Sequence, residues 1–182
     1  MRYIFIILLF LFAGCTAPKS YILESKNIPI SNKSINYSIG VKTIELPQYL
    51  LSKEIPYLQK DNQITYLKDK KWATYLDEHL TNRLVSTLQK SFNTAKVYKY
   101  PQNTSTKPDI ILQITINKFI ADDNSVILDA TCTRSGKKGD KNRLFSIKID
   151  QSSKYDTIEN MNKAFSKMES KLINYLSQSI LD

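Results

Sequence analysis

The 182-residue chain holds one histidine, two cysteines and four glycines. A zinc quartet needs four nitrogen or sulfur ligands, and that supply is missing. Glycine-rich phosphate cradles and the strand-elbow serine motif need clustered glycines. Only Gly40, Gly136 and Gly139 lie beyond the N-terminal leader, and none sits in such a pattern. His79, the one side chain of near-neutral intrinsic pKa, lies between Glu78 and Leu80 in a helix-like stretch, with no second histidine or glycine-flanked serine. It reads as a helix-flank residue. Asp77-Glu78 and Asp122-Asp123 are adjacent pairs, whose side chains point apart instead of facing one substrate. No enzyme activity, cofactor or metal is expected. Arginine is scarce too. Of 26 basic residues only Arg2, Arg83, Arg134 and Arg143 carry the planar guanidinium that reads guanine and phosphate, and the lysines are scattered. The net charge of +9 is therefore read as solvated surface, with no nucleic-acid partner.

What is present is one domain's worth of chain, 42% hydrophobic and 24% charged, near the globular average. It begins with Arg2, an unbroken apolar run over 3–12, and Ala13-Gly14-Cys15. A positive start, a short apolar run and small residues are the parts of a secretion signal. The run is too short for a permanent span, which needs about 20 residues. Phe12-Ala13-Gly14-Cys15 resembles the lipobox of bacterial lipoproteins, although Phe12 stands where leucine is usual; the alternative is an ordinary signal with an incidental cysteine. The resemblance implies cleavage before Cys15, which then carries a diacylglyceryl thioether and an acylated (palmitate-type) amine. Residues 1–14 would be the signal peptide, 15–20 the lipidated cysteine and tether, and 21–182 a single periplasmic domain. Processing leaves 168 residues with a formal balance of +8. The polar tether 16–20 reaches at most about 17 Å. If Cys15 is acylated, Cys132 has no partner for an intrachain disulfide.

Further along, Tyr21-Ile22-Leu23 reads as a brief strand and 37–46 as a strand ended by Pro47. The segment Pro47-Gln48-Tyr49-Leu50-Leu51 has no clean period and suggests an irregular loop or partner surface. Asp61-Asn62 punctuates a hairpin over 55–67. Trp72, Leu76, Leu80, Leu84, Leu88 and Phe92 recur every four residues, predicting a helix over about 70–92 with Asp69 as cap. A short strand follows at 96–100. Ile110, Leu112, Ile114 and Ile116 alternate strictly, and Phe119 falls out of phase, so a bulge near Asn117-Lys118 is expected. Val126, Leu128, Ala130 and Cys132 share the apolar face of the next strand, which makes Cys132 a buried small hydrophobe. Residues 134–143 read as a hairpin loop with Arg134, Lys137, Lys138, Lys141 and Arg143 against Asp140: a solvated tip, or a contact for anionic lipid headgroups or an acidic partner. Phe145, Ile147 and Ile149 form the last strand. Ser153 with Asp156 opens a helix over 154–180, whose stripe runs through Ile158, Met161, Phe165, Met168 and Leu172. The expected fold is α+β, a two-layer sandwich of a mostly antiparallel four- to five-stranded sheet with two amphipathic helices on one face.

With these motifs in order, the mature chain resembles the ABC-type transport auxiliary lipoproteins, the paraquat-inducible protein C-like family that accompanies MCE-domain lipid transporters. The residues that carry the likeness are Tyr21-Ile22-Leu23, Ile39-Gly40-Val41 leading to Leu46-Pro47-Gln48-Tyr49-Leu50, and Trp72-Ala73-Thr74-Tyr75-Leu76-Asp77-Glu78. Cys132 departs from relatives, where an aromatic often follows. The resemblance implies a periplasm-facing lipoprotein, usually at the outer membrane, that docks an MCE-domain substrate-binding protein and an ABC permease/ATPase complex and helps lipid cross the periplasm. Homo-oligomers are implied as well. Thr16 is not the aspartate that retains lipoproteins at the inner membrane of enteric bacteria, so outer-membrane placement is expected under that code. Leu46, Pro47, Tyr49, Leu50 and Trp72 are the candidate partner-binding residues, as an aromatic-rich corner. Two other readings stand beside docking: a module that itself shelters a phospholipid between helix and sheet, and an outer-membrane assembly lipoprotein.

Overall fold

A computed structural model describes residues 17–24, 36–102, 107–137 and 139–179. Cys15, Lys138 and the last residues of the predicted second helix lie outside them. Among the described residues, eight strands and two α-helices follow in the order β1 (Lys19–Tyr21), β2 (Ser38–Lys42), β3 (Glu54–Leu58), β4 (Ile64–Trp72), α1 (Leu76–Ser91), β5 (Lys96–Tyr100), β6 (Ile110–Ala121), β7 (Ser125–Gly136), β8 (Lys141–Asp150) and α2 (Thr157–Ser179). None of the helices among the described residues is long and apolar enough to cross a membrane.

All eight strands join one mixed sheet, which corrects the expected four or five antiparallel strands. The branch point is β6. One of its edges pairs antiparallel with β7, which pairs antiparallel with β8. The other is shared: β2 lies parallel to its start, Glu45 bridges Thr115 at its middle, and Tyr57 of β3 pairs with Ala121 at its end. Outside these, β5 runs parallel to β2, while β4 closes a hairpin with β3 and takes β1 in parallel on its far edge. Parallel neighbours need long crossovers, and here α1 and the 36–58 segment supply them.

The expected bulge is present between Ile116 and Lys118: Asn117 is exposed and Phe119 is returned to the core. The hairpin over β3 and β4 is also present, with Asn62 at φ 64° in its turn, a conformation asparagine tolerates. The first helix is shorter than the four-residue spacing predicts. Lys70 to Trp72 pair with β1, so Trp72 ends a strand, Asp69 lies inside β4, and Tyr75 takes the N-cap position without a side-chain bond. Asp77 and Glu78 in the first turn complement the helix dipole instead. Ser153 caps a 3-10 turn over Lys154–Asp156 that precedes α2, its Oγ accepting the Tyr155 amide at 3.2 Å in place of the expected box with Asp156.

α1 packs on β2 and β5, α2 on β6, β7 and β8, and the helices touch each other. Leu80, Leu84, Leu88, Phe92, Phe119, Phe165 and Leu172 fill the space between helices and sheet, each fully buried. Truncating any one of these leucines to alanine costs about 2–5 kcal/mol. Gly40 fixes the β2–β5 contact. A Cβ there would lie 2.7 Å from Pro108 Cγ and 2.9 Å from Tyr100 Cβ. Gly40→Ala is therefore expected to destabilise the domain by about 1–3 kcal/mol, read as a lowered thermal midpoint. An unchanged midpoint would show that Pro108 and Tyr100 yield freely.

Candidate docking surface

The corner after β2 is pinned to the sheet from three sides. Ile44 N–H donates to Thr81 Oγ1 of α1 at 2.9 Å, and Glu45 exchanges backbone bonds of 2.9 Å with Ile114 and Ile116 of β6. Beyond Pro47, a single 3-10 turn over Gln48–Leu50 buries Leu50 completely. The bulge in β6 frees the Phe119 amide, which donates to Tyr49 Oη at 3.0 Å. Burial raises the Tyr49 phenol pKa, and that amide bond opposes the rise. Irregular backbone in β6 and the aromatic corner are thus one construction.

Of the five candidate partner-binding residues, Leu46, Pro47 and Tyr49 are half-buried on this corner. Leu50 and Trp72 are core residues, 0% and 2% exposed, so a partner meeting this surface does not touch them. Two aromatic or apolar groups outside the predicted set are open to solvent: Leu51 and Tyr75, 51% and 55% exposed, with Lys53 Nζ 5.0 Å from the Tyr75 ring centre. The sequence holds a sign of the second. Tyr75 stands off the four-residue stripe, where an aromatic has no core to enter.

The basic hairpin is divided in a similar way. β7 and β8 pair as far as Arg134 and Lys141, so both residues belong to the ladder and not to an open loop. Arg134 follows Ala130 and Cys132 on the buried face and is 3% exposed, so it is not part of a solvated tip. Among the described residues its Nε and Nη1 have no hydrogen-bond partner. Lys137, Lys141 and Arg143 remain outside, Lys137 at 3.8 Å from Asp109 and Arg143 at 5.9 Å from the Tyr175 ring centre. Strand alternation carried two residues further would have placed Arg134 inside.

The remaining candidate groups are held in structural roles. Half-buried His79 places Nε2 3.0 Å from Leu23 O and 3.2 Å from Leu23 N, so either tautomer ties Leu23, two residues past β1, to α1. Tyr57 Oη donates to Asp123 Oδ1 at 2.9 Å, and burial together with that carboxylate pushes its pKa up to about 12. No cluster of three His, Cys, Asp or Glu side chains among the described residues could hold a metal ion. Cys132 is fully buried, and burial pushes its thiol up to about 12. The thiolate is the reactive form, so the native protein is expected to resist a thiol reagent at pH 8 and to react fully once denatured. Rapid labelling of the native fold would contradict this burial.

Fold and surfaces together describe a compact α+β domain with an apolar corner at one place and exposed cations at another. Residues 21–175 match the family model of the ABC-type transport auxiliary lipoprotein component, and the chain belongs to that family. Two solved structures share the fold. A crystal structure of an uncharacterized protein superposes with a TM-score of 0.71 at 18% identity, over 88% of this chain and 99% of the other. Protein XCC0632 from Xanthomonas campestris, of family DUF330, gives 0.68 at 13% identity, over 88% and 93%. No curated protein matches the chain by sequence. Membership makes the protein a membrane-anchored envelope lipoprotein and an accessory of an ABC-type transporter complex.

Proposed function

We propose that the protein is the non-catalytic docking component of an MCE-type ABC lipid transport system, anchored through Cys15 to the periplasmic face of the outer membrane. The observation that carries this reading is the placement of the family domain. It starts at residue 21, six residues past a lipobox-like cysteine, so the whole domain is held against a membrane. Leu46, Pro47 and Tyr49, joined by Leu51 and Tyr75, form the partner surface. A corner braced by Tyr49–Phe119 and Ile44–Thr81 presents apolar groups with little ordering entropy left to lose, which favours a docking role. Lys137, Lys141 and Arg143 supply a separate cationic contact, and copies of the chain assemble around the MCE protein. Packing speaks against the sheltering of acyl chains between helices and sheet, where fully buried side chains already fill the layer.

The test is affinity purification of the tagged full-length protein from membranes solubilised in mild detergent. An MCE-domain protein together with its ABC permease and ATPase should co-purify, and Pro47→Asp with Leu51→Asp should release them while the fold is retained. Recovery of the intact lipoprotein with neither MCE protein nor permease, under conditions that keep other transporter complexes whole, would sink the proposal.

A further inference from the structure

The end of the sheet where the tether enters carries its own exposed apolar and basic groups. Tyr155, in the 3-10 turn before α2, is 86% exposed, more than any other large hydrophobic side chain described, and Ile22 after β1 is 46% exposed. Both line one open groove of about 530 Å³, together with Tyr21, Lys70 and Ile158. Glu24 and Glu159 line it too, and Glu159 is engaged by Lys163 at 2.8 Å. Lysines lie at this end among the exposed carboxylates of Glu24, Asp69, Asp156 and Glu159. Lys70 Nζ sits 5.7 Å from the Tyr155 ring centre and Lys154 Nζ 4.2 Å from that of Tyr57, while Lys19 and Lys71 are exposed on the paired edge of β1 and β4. Nothing in the core requires a tyrosine in the open at position 155.

The length of chain between lipid and fold selects the occupant. Only residues 16–18 separate Cys15 from β1, a span of about 10–14 Å at full extension. We infer that the Ile22–Tyr155 face, with Lys19, Lys70 and Lys154 around it, rests on the lipid surface of the membrane that holds the anchor. This rests on the reading that Cys15 is acylated. Tyrosine suits the boundary between headgroup and acyl chain because its ring is apolar and its hydroxyl wet, and lysines around it meet lipid phosphates. A contact this small does not hold a free protein. Behind a tether it acts at millimolar effective concentration, enough to select one orientation of an already anchored domain.

Orientation then follows from topology. β1 lies at the β3 end of β6, and Lys137 and Lys141 at the opposite end and beyond the opposite edge. At about 3.3 Å per residue along strands and about 4.8 Å between them, the two are roughly 35 Å apart. Lys137, Lys141 and Arg143 are thereby directed away from the anchoring membrane, towards partners that come from across the periplasm.

The experiment uses the full-length lipoprotein in vesicles of phosphatidylethanolamine and phosphatidylglycerol, carrying an environment-sensitive fluorophore at Asp156→Cys or at Asp140→Cys. Cys132 is buried and stays unlabelled. The expected result is blue-shifted emission, quenched several-fold by spin-labelled lipid, at position 156 and water-like emission at 140. Adding Tyr155→Asp and Ile22→Asp should return position 156 to the water-like state while the protein still floats with the vesicles. Flotation with water-like emission at 156 from the start would overturn the proposed face and leave the anchor standing, as would lipid quenching at 140. Failure to float, with no acyl mass on Cys15, would overturn both.

Discussion

Cys15→Ser, expressed behind a cleavable signal of the non-lipoprotein type, is expected to move the protein from the membrane pellet to the soluble periplasmic fraction. The physical ground is the size of the anchor relative to everything else that touches lipid. Each buried methylene contributes about 0.8 kcal/mol, one acyl chain binds only marginally, and several chains anchor stably. The modification implied by the lipobox adds more than one chain. By contrast, the described residues hold no membrane-crossing helix, and the exposed Ile22 and Tyr155 are two side chains. The measurement is fractionation after a high-salt wash, with intact mass to show the lipid lost. A processed, unacylated protein that still pellets with membranes would show that the anchor is not what holds it there. Fold should be unaffected, since the buried core is assembled from residues between Leu23 and Leu176.

The second large effect concerns stability. Arg83 of α1 and Glu169 of α2 form a buried pair, their side chains 5% and 2% exposed, with Nη2 2.6 Å from Oε2. Every remaining polar atom of the pair is occupied. Arg83 Nη1 donates to Asn162 Oδ1 at 2.6 Å, Nη2 also donates to Ser166 Oγ at 2.7 Å, and Glu169 Oε1 accepts from Thr87 Oγ1 at 3.0 Å. The guanidinium lies 4.8 Å from the Phe165 ring centre. Removing one partner strands a charge in a medium that cannot solvate it, a loss of about 3–5 kcal/mol. Glu169→Ala and Arg83→Ala should each lower the thermal midpoint by on the order of 10 °C. Replacing both at once, Arg83→Met with Glu169→Leu, should recover most of that, because the desolvation penalty leaves with the charges. Two single variants within 1 °C of the parent would show that water reaches the pair and the network is ornamental to stability.

Neither residue of that pair announces itself in the sequence. Arg83 reads as one more cation on a helix next to Leu84, and Glu169 as a surface acid beside Met168; their meeting spans 86 positions. The same holds for the sheet. Strands at 38–42, 54–58 and 96–100 are legible from alternation and from Pro47 and Pro101, but nothing local says that they join β6 and its neighbours. Parallel pairing is settled by contacts between distant segments. The first helix starts later than its four-residue spacing predicts for a related reason. Trp72 falls on the four-residue stripe by coincidence of spacing, and its place at the end of β4 depends on β1 arriving from fifty residues earlier. Trp72 and Leu50 also show why a residue in a motif is not thereby a surface: large apolar side chains are as useful to the core as to a partner.

What the chain determines by itself is local. The ten-residue apolar run before Cys15 is legible from its continuity, while the alternation of 110–116 with its bulge, the buried Cys132 and the stripes of both helices are written in periodicities of two and three to four residues, which depend on backbone geometry alone. What only the tertiary structure decides is which of these parts meet. Eight strands become one sheet around β6, Arg134 turns inward and leaves Lys137, Lys141 and Arg143 outside, and Tyr155 comes to lie beside Ile22 at the mouth of the tether. The physical reason is that burial and pairing energies belong to surfaces brought together from afar, and a residue's exposure is not settled until the last of those surfaces has arrived.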